Sequence, residues 1–138
     1  MLIMVETVQR MKSFNPFYVH LAEKLISTDR SFLMCTQCAF WDKFKIMSDI
    51  KDGQIGNLST YIAHLFKLQL IPVTMLKKID FDDIDAKGVT FLRGMLREIS
   101  QISTKTGTYS TYFTWSITRD SGLEKHPIRR IYFKFYFI

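Results

Sequence analysis

The segment Asn15–Phe44, NPFYVHLAEKLISTDRSFLMCTQCAFWDKF, holds two helices back to back. Asn15 carries the short acceptor side chain favoured at a helix N-cap, and Pro16 suits the first helical position, where no amide hydrogen is needed. Tyr18, Leu21, Ala22, Leu25 and Ile26 then recur at helical spacing, with Glu23 and Lys24 off the stripe. Ser27-Thr28-Asp29 ends this helix and caps the next. From about Arg30 to Ser48 the apolar residues Phe32, Leu33, Met34, Cys35, Cys38, Ala39, Phe40, Trp41 and Phe44 cover most of the circumference. Such a helix is expected at the buried centre of a helix stack, emerging where charge returns at Asp42, Lys43 and Lys45.

The flanks extend this pattern. Met1, Met4, Val5, Val8 and Met11 predict a short helix ending near Lys12. Asp49 to Gly56 reads as a polar turn broken by Gly53 and Gly56, with Gly56 or Asn57 capping a fourth helix that carries Leu58, Tyr61, Ile62, Leu65 and Phe66. Pro72 stops it. A short helix from Thr74 to Ile79 precedes the acidic turn Asp80-Phe81-Asp82-Asp83. The last helix covers about Lys87 to Ile102, with Leu92, Met95, Leu96, Ile99 and Ile102 on one face. The predicted fold of residues 1–102 is all-α, a stack of antiparallel helical hairpins joined by short loops.

Residues 103–138 have another texture. The tail is rich in Thr, Ser and aromatic residues, and Tyr109, Thr111, Phe113, Trp115 and Ile117 alternate as in a strand. Ile131 to Ile138 is dense in β-prone residues with a single charge. No fold is assigned to this tail, which forms the second of two expected regions.

A chain of 138 residues suits one domain, and 47% hydrophobic against 23% charged residues marks it as globular. The net charge of +6 favours anionic surroundings, either RNA or an acidic protein face. The two cysteines do not make a disulfide scaffold, so a reducing compartment is expected. The first residues, Met1-Leu2-Ile3-Met4-Val5-Glu6, lack a basic n-region, and no apolar run approaches the roughly 18 residues needed to span a bilayer. The expectation is a soluble intracellular protein.

The motifs built from chemically capable residues read better as structure. Cys35-x-x-Cys38 lies within the apolar helical run without a second pair to complete a zinc site, which predicts buried core cysteines. His20, His64 and His126 have no His or carboxylate partner at ligand spacing, and His20 and His64 are expected as partly buried helix residues. Asp80, Asp82, Asp83 and Asp85 lack the central Gly and closing Glu of a calcium loop and read as helix-capping acids. Asn57-Leu58-Ser59 matches a glycosylation acceptor, but a helix cap accounts for it. Asn15-Pro16-Phe17-Tyr18 has the form of an NPxY peptide motif, yet precedes a core-facing stripe. There is neither a Gly-rich phosphate loop nor a nucleophile elbow. No catalytic, cofactor or metal site is assigned, and the chain is read as a non-enzyme. Lys43, Lys45, Lys67, Lys77, Lys78, Lys87, Arg93 and Arg97 form either solvated faces or a basic stripe able to contact RNA.

Four segments in order, Asn15-Pro16-Phe17-Tyr18, Trp41-Asp42-Lys43-Phe44, Ala63-His64-Leu65-Phe66-Lys67 and Phe91-Leu92-Arg93, resemble the C-terminal MA-3 (MI) domain of nucleolar MIF-4G-domain proteins, the Sgd/NOM family. The resemblance spans about Met1 to Ile99. It implies a HEAT-like hairpin stack and a scaffold role in nucleolar small-subunit pre-rRNA processing. It also implies a DEAD-box RNA helicase of the initiation-factor-4A class, or a pre-ribosomal protein, as partner. The family's MIF-4G domain and the first MA-3 helices have no counterpart here, and the tail departs from the helices that close the domain. The chain therefore resembles a partial copy, a fragment or truncated form, whose open apolar face favours self-association. Candidate partner-binding residues are Lys43, Lys45, Asp49, Lys77, Asp82 and Asp83, on helix ends and loops. Phe17, Phe40, Trp41, Phe44 and Leu65 are expected to be structural.

Overall fold

The computed structural model describes residues 1–80 and 83–103. They form α1 (Leu2–Arg10), α2 (Phe17–Thr28), α3 (Ser31–Lys45), α4 (Asp52–Lys67) and α5 (Ala86–Ser103), with 3₁₀ turns at Met47–Asp49 and Val73–Lys78. No strand occurs among the described residues, and the all-α helical stack is as the sequence predicts. The strand anticipated within 104–118, and the rest of the tail, lie outside the described residues.

Two caps separate α2 from its neighbours. The Asn15 Oδ1 accepts from the Phe17 amide at 2.9 Å, and Pro16 already has helical dihedrals (φ −61°, ψ −19°). Asn15 therefore caps and Pro16 leads, as their side chains favour. The same device starts α3. Asp29 is extended, its Oδ1 accepts from the Ser31 amide at 2.8 Å, and Arg30 is helical. The Ser31 amide, followed by the Ser31 hydroxyl, holds the Asp29 carboxyl below its ordinary pKa by bonding its charged form. That contribution is present above the ordinary carboxylate range and is lost as pH falls through the lowered pKa.

The centre of the stack is α4, not α3. Helix α4 packs against α5, α1 and α2, and buries Ile55, Leu58, Tyr61, Ile62, Ala63 and Leu65. Helix α3 buries Thr36, Gln37, Ala39, Phe40 and Lys43, while Met34 is 57% exposed and Cys35 and Cys38 are exposed. The expectation of buried core cysteines is thus corrected. Two rings tie α3 inward: Phe40 lies 6.0 Å from Tyr61 of α4, and Phe44 meets Phe91 of α5 edge-on at 5.2 Å. The opposite side of α3, with Met34, Cys35 and Cys38, stays exposed.

Helix α4 can be central although its sequence is more polar, because its polar groups find partners. The Ser59 hydroxyl donates to the Gly56 carbonyl at 2.8 Å, and the Asn57 amide donates to the Met11 carbonyl at 2.6 Å. His64 Nδ1 lies 2.9 Å from the Thr60 carbonyl. A satisfied polar group costs little to bury. Asn57 thus joins α4 to the end of α1, in place of the capping role read from the sequence.

Helix α4 also begins earlier than Gly56. The polar turn expected over Asp49–Gly56 is only a 3₁₀ turn at Met47–Asp49, and Asp52 to Gly56 are helical. Ile55 is buried there, and Gln54 Oε1 accepts from Gln9 of α1 at 3.1 Å. These contacts outweigh the roughly 1 kcal/mol that each of Gly53 and Gly56 costs a helix. At the other end Gln69 adopts the left-handed conformation (φ 55°). Its amide donates to the Phe66 carbonyl and that of Leu70 to the Leu65 carbonyl, both at 3.0 Å. This is a Schellman stop with Gln where Gly is usual, and it ends α4 before Pro72 is reached.

Helix α5 starts at Asp85, whose Oδ1 accepts from the Gly88 amide at 2.7 Å. It buries Phe91, Leu92 and Met95, with Leu96 and Ile99 packed alongside, close to the predicted stripe. Gly94 makes the α4–α5 crossing possible: a Cβ there would stand 2.7 Å from Ser59 Oγ.

Candidate partner-binding surface

The end of α3, the Met47–Asp49 turn and the start of α5 form one end of the stack. Lys87, in the first turn of α5, donates from Nζ to the carbonyls of Ser48 and Ile50, each at 2.7 Å. This cation closes over the two carbonyls that flank Asp49 and draws the start of α5 to the turn. Asp49 is exposed in the turn so held, and Asp83, four residues before Lys87, is exposed just before α5. Lys45, four residues before Asp49, is also exposed and lies 3.5 Å from Asp42 Oδ1.

The other predicted residues fare differently. Lys43 was expected where α3 emerges into solvent, but it is 6% exposed and lies 3.3 Å from Glu6 Oε1 of α1. Its four-carbon stem follows the apolar face, and the ammonium reaches a carboxylate at the edge. Lys43 is a tie between α3 and α1. Asp82 and the side chain of Lys77 lie outside the described residues.

The basic stripe is likewise reduced. Lys87 is committed to backbone carbonyls, and Lys78 Nζ stands 5.4 Å above the Trp41 ring, a cation–π arrangement. The Trp41 indole N–H donates to the Met75 carbonyl at 3.0 Å, which fixes the Val73–Lys78 turn on α3. Trp41, Phe40, Phe44 and Leu65 are structural, as expected from the sequence, whereas Phe17 is 59% exposed. His64 is half-buried, with its ring 5.1 Å from Phe14, but His20 is exposed beside Glu23 at 3.6 Å. Among the described residues no group of three or more His, Cys, Asp or Glu could hold a metal ion. No described helix is long and apolar enough to cross a membrane.

Sequence reasoning missed the exposed apolar side chains. Leu2 and Ile3 at the start of α1, Met34 on α3 and Ile46 after it all face solvent. Met34, Cys35 and Cys38 share a face of α3 that is opposite the buried Phe40 side. An apolar set that covers most of the circumference hides such a face, because periodicity gives no indication of which side is covered.

No family model matches the chain. It is 35% identical to mouse nucleolar MIF4G domain-containing protein 1 over 94 residues, 68% of this chain and 11% of that protein. It is 32% identical to the human protein of the same name over 112 residues, 81% of this chain and 13% of that protein. A homolog from Drosophila melanogaster is 25% identical over 101 residues, 73% of this chain and 12% of that protein. The chain thus spans only 11% to 13% of the length of these curated relatives. Over about 70–80% of its length, it is homologous to a short segment of nucleolar MIF4G domain-containing protein 1.

Proposed function

We propose that this chain is a non-enzymatic protein-binding module, a partial MA-3-type helical stack that serves as a scaffold in the nucleolus. The observation that carries this reading is the homology of most of the chain to nucleolar MIF4G domain-containing protein 1, together with the helical stack of the described residues. The process is small-subunit pre-rRNA processing during ribosome biogenesis. The partner is a DEAD-box RNA helicase or a pre-ribosomal protein. It docks at the end where Lys45, Asp49 and Asp83 are exposed around the Lys87 tie. Lys43 has no direct part in this surface, because it is used inside the stack.

Three exposed charges of mixed sign tune encounter and register more than total affinity. The test is therefore charge reversal at the surface. Lys45→Glu and Asp83→Lys, each checked for native helix content, should weaken capture of a purified DEAD-box helicase by about three- to tenfold. Capture unchanged in both variants places the contact elsewhere. The basic-stripe reading for RNA has less to draw on, because Lys43, Lys78 and Lys87 are each engaged within the fold.

A further inference from the structure

We propose that Cys35 and Cys38 form a reversible dithiol–disulfide pair, a modification site for small disulfides of the glutathione class. Both thiols are free and exposed, on the side of α3 away from Phe40. They stand three residues apart near the middle of a helix that runs from Ser31 to Lys45. With a rise of about 1.5 Å and a turn of about 100° per residue, their Cα atoms lie roughly 5 Å apart, inside the range that disulfides span. Their Cβ atoms, at about 5–6 Å, are wider apart than the roughly 3.5–4.5 Å of a relaxed bridge. Closure therefore requires that one turn of α3 be drawn in.

The inward side of that turn resists. Thr36 and Gln37, the two residues between the cysteines, are both buried, and the Thr36 hydroxyl donates to the Phe32 carbonyl at 2.6 Å. A bridge built against that anchorage is strained and exposed, the combination that makes a disulfide easily reduced. The pair stays as two thiols in reducing surroundings and closes when small disulfides accumulate. The exchange is balanced. One cysteine thiolate attacks glutathione disulfide, forms a mixed disulfide and releases one glutathione thiolate. The second cysteine gives its proton to solvent and attacks the protein-side sulfur of that mixed disulfide. The second glutathione leaves, so the protein loses two electrons and glutathione disulfide gains them.

The test is to incubate the full chain with excess glutathione disulfide, trap free thiols with an alkylating agent and weigh the intact protein. The wild type should lose two hydrogens, retain no glutathione and regain both thiols with dithiothreitol. Cys35→Ser and Cys38→Ser, which leave no resolving thiol, should each retain one glutathione. A wild type that keeps one or two glutathiones at the end point, links to a second chain, or leaves both thiols unreacted overturns the proposal.

Discussion

The ammonium of Lys43 lies 3.3 Å from the Glu6 carboxylate, with the lysine side chain 8% and the glutamate 41% exposed. The asymmetry sets the consequences. Removal of the glutamate leaves a buried cation without its counter-charge, whereas a change of the lysine to an apolar residue of similar shape leaves a carboxylate that can still reach water. Glu6→Gln should destabilise the protein by about 1–2 kcal/mol, less than for a fully buried pair because Glu6 is partly screened. Lys43→Met should be near neutral. Urea denaturation of both variants checks the order, and a larger loss for Lys43→Met would contradict it.

The α4–α5 crossing depends on the absence of a side chain at 94. A Cβ there would stand 2.7 Å from Ser59 Oγ and 3.2 Å from Ser59 Cβ. Gly94→Ala gains about 1 kcal/mol of helix propensity but overpacks the interface, which costs about 1–3 kcal/mol. We expect a net loss of about 1 kcal/mol by thermal or urea denaturation. Combination with Ser59→Ala removes the closer contact and should recover part of it. A stabilised Gly94→Ala would show that the helices stand further apart.

Gln69 should be improvable. The left-handed region costs a residue with a Cβ roughly 1–2 kcal/mol and glycine nothing comparable. A glycine at this position would lose up to about 1 kcal/mol of that gain through the greater freedom of the unfolded chain. Gln69→Gly is therefore expected to raise stability by about 0.5–1 kcal/mol, and Gln69→Ala to leave it nearly unchanged, both read by urea denaturation.

Burial pushes the Tyr61 phenol well above its ordinary pKa of 10.0. The unfolded chain releases this proton near pH 10 while the folded chain keeps it, so the folded state binds more protons there. Stability then falls as pH rises past 10, by up to about 1.4 kcal/mol per pH unit from this group. Tyr61→Phe should remove that share of the alkaline loss. The cost at neutral pH should be small, since among the described residues the hydroxyl reaches the Tyr18 carbonyl at the long distance of 3.5 Å. Denaturation from pH 8 to 11 for both proteins measures the difference, and parallel curves would exclude Tyr61 as the source.

Local chemistry was the most legible part of the sequence. Asn15 and Asp29 cap their helices through hydrogen bonds within two residues, so nothing distant has to be known. Helix α5 was legible because its apolar stripe is narrow and faces mainly α4. Helices α3 and α4 were misordered because centrality depends on partners far along the chain. Asn57 pairs with Met11, Gln54 with Gln9, and Lys43 with Glu6. Each partner makes a polar residue burial-compatible in a way that composition does not reveal. For the same reason Lys43 reads as a surface residue, and Cys35 and Cys38 as core residues, in the sequence alone.

A stack that binds a protein and one that binds RNA respond differently to salt. Titration of the full chain with a purified DEAD-box RNA helicase, and separately with single-stranded RNA, by calorimetry at low and high salt compares the two directly. We predict saturable helicase binding that persists at high salt and weakens with Asp83→Lys. Absence of helicase binding, with RNA affinity that falls steeply as salt rises in proportion to the phosphates contacted, would contradict it.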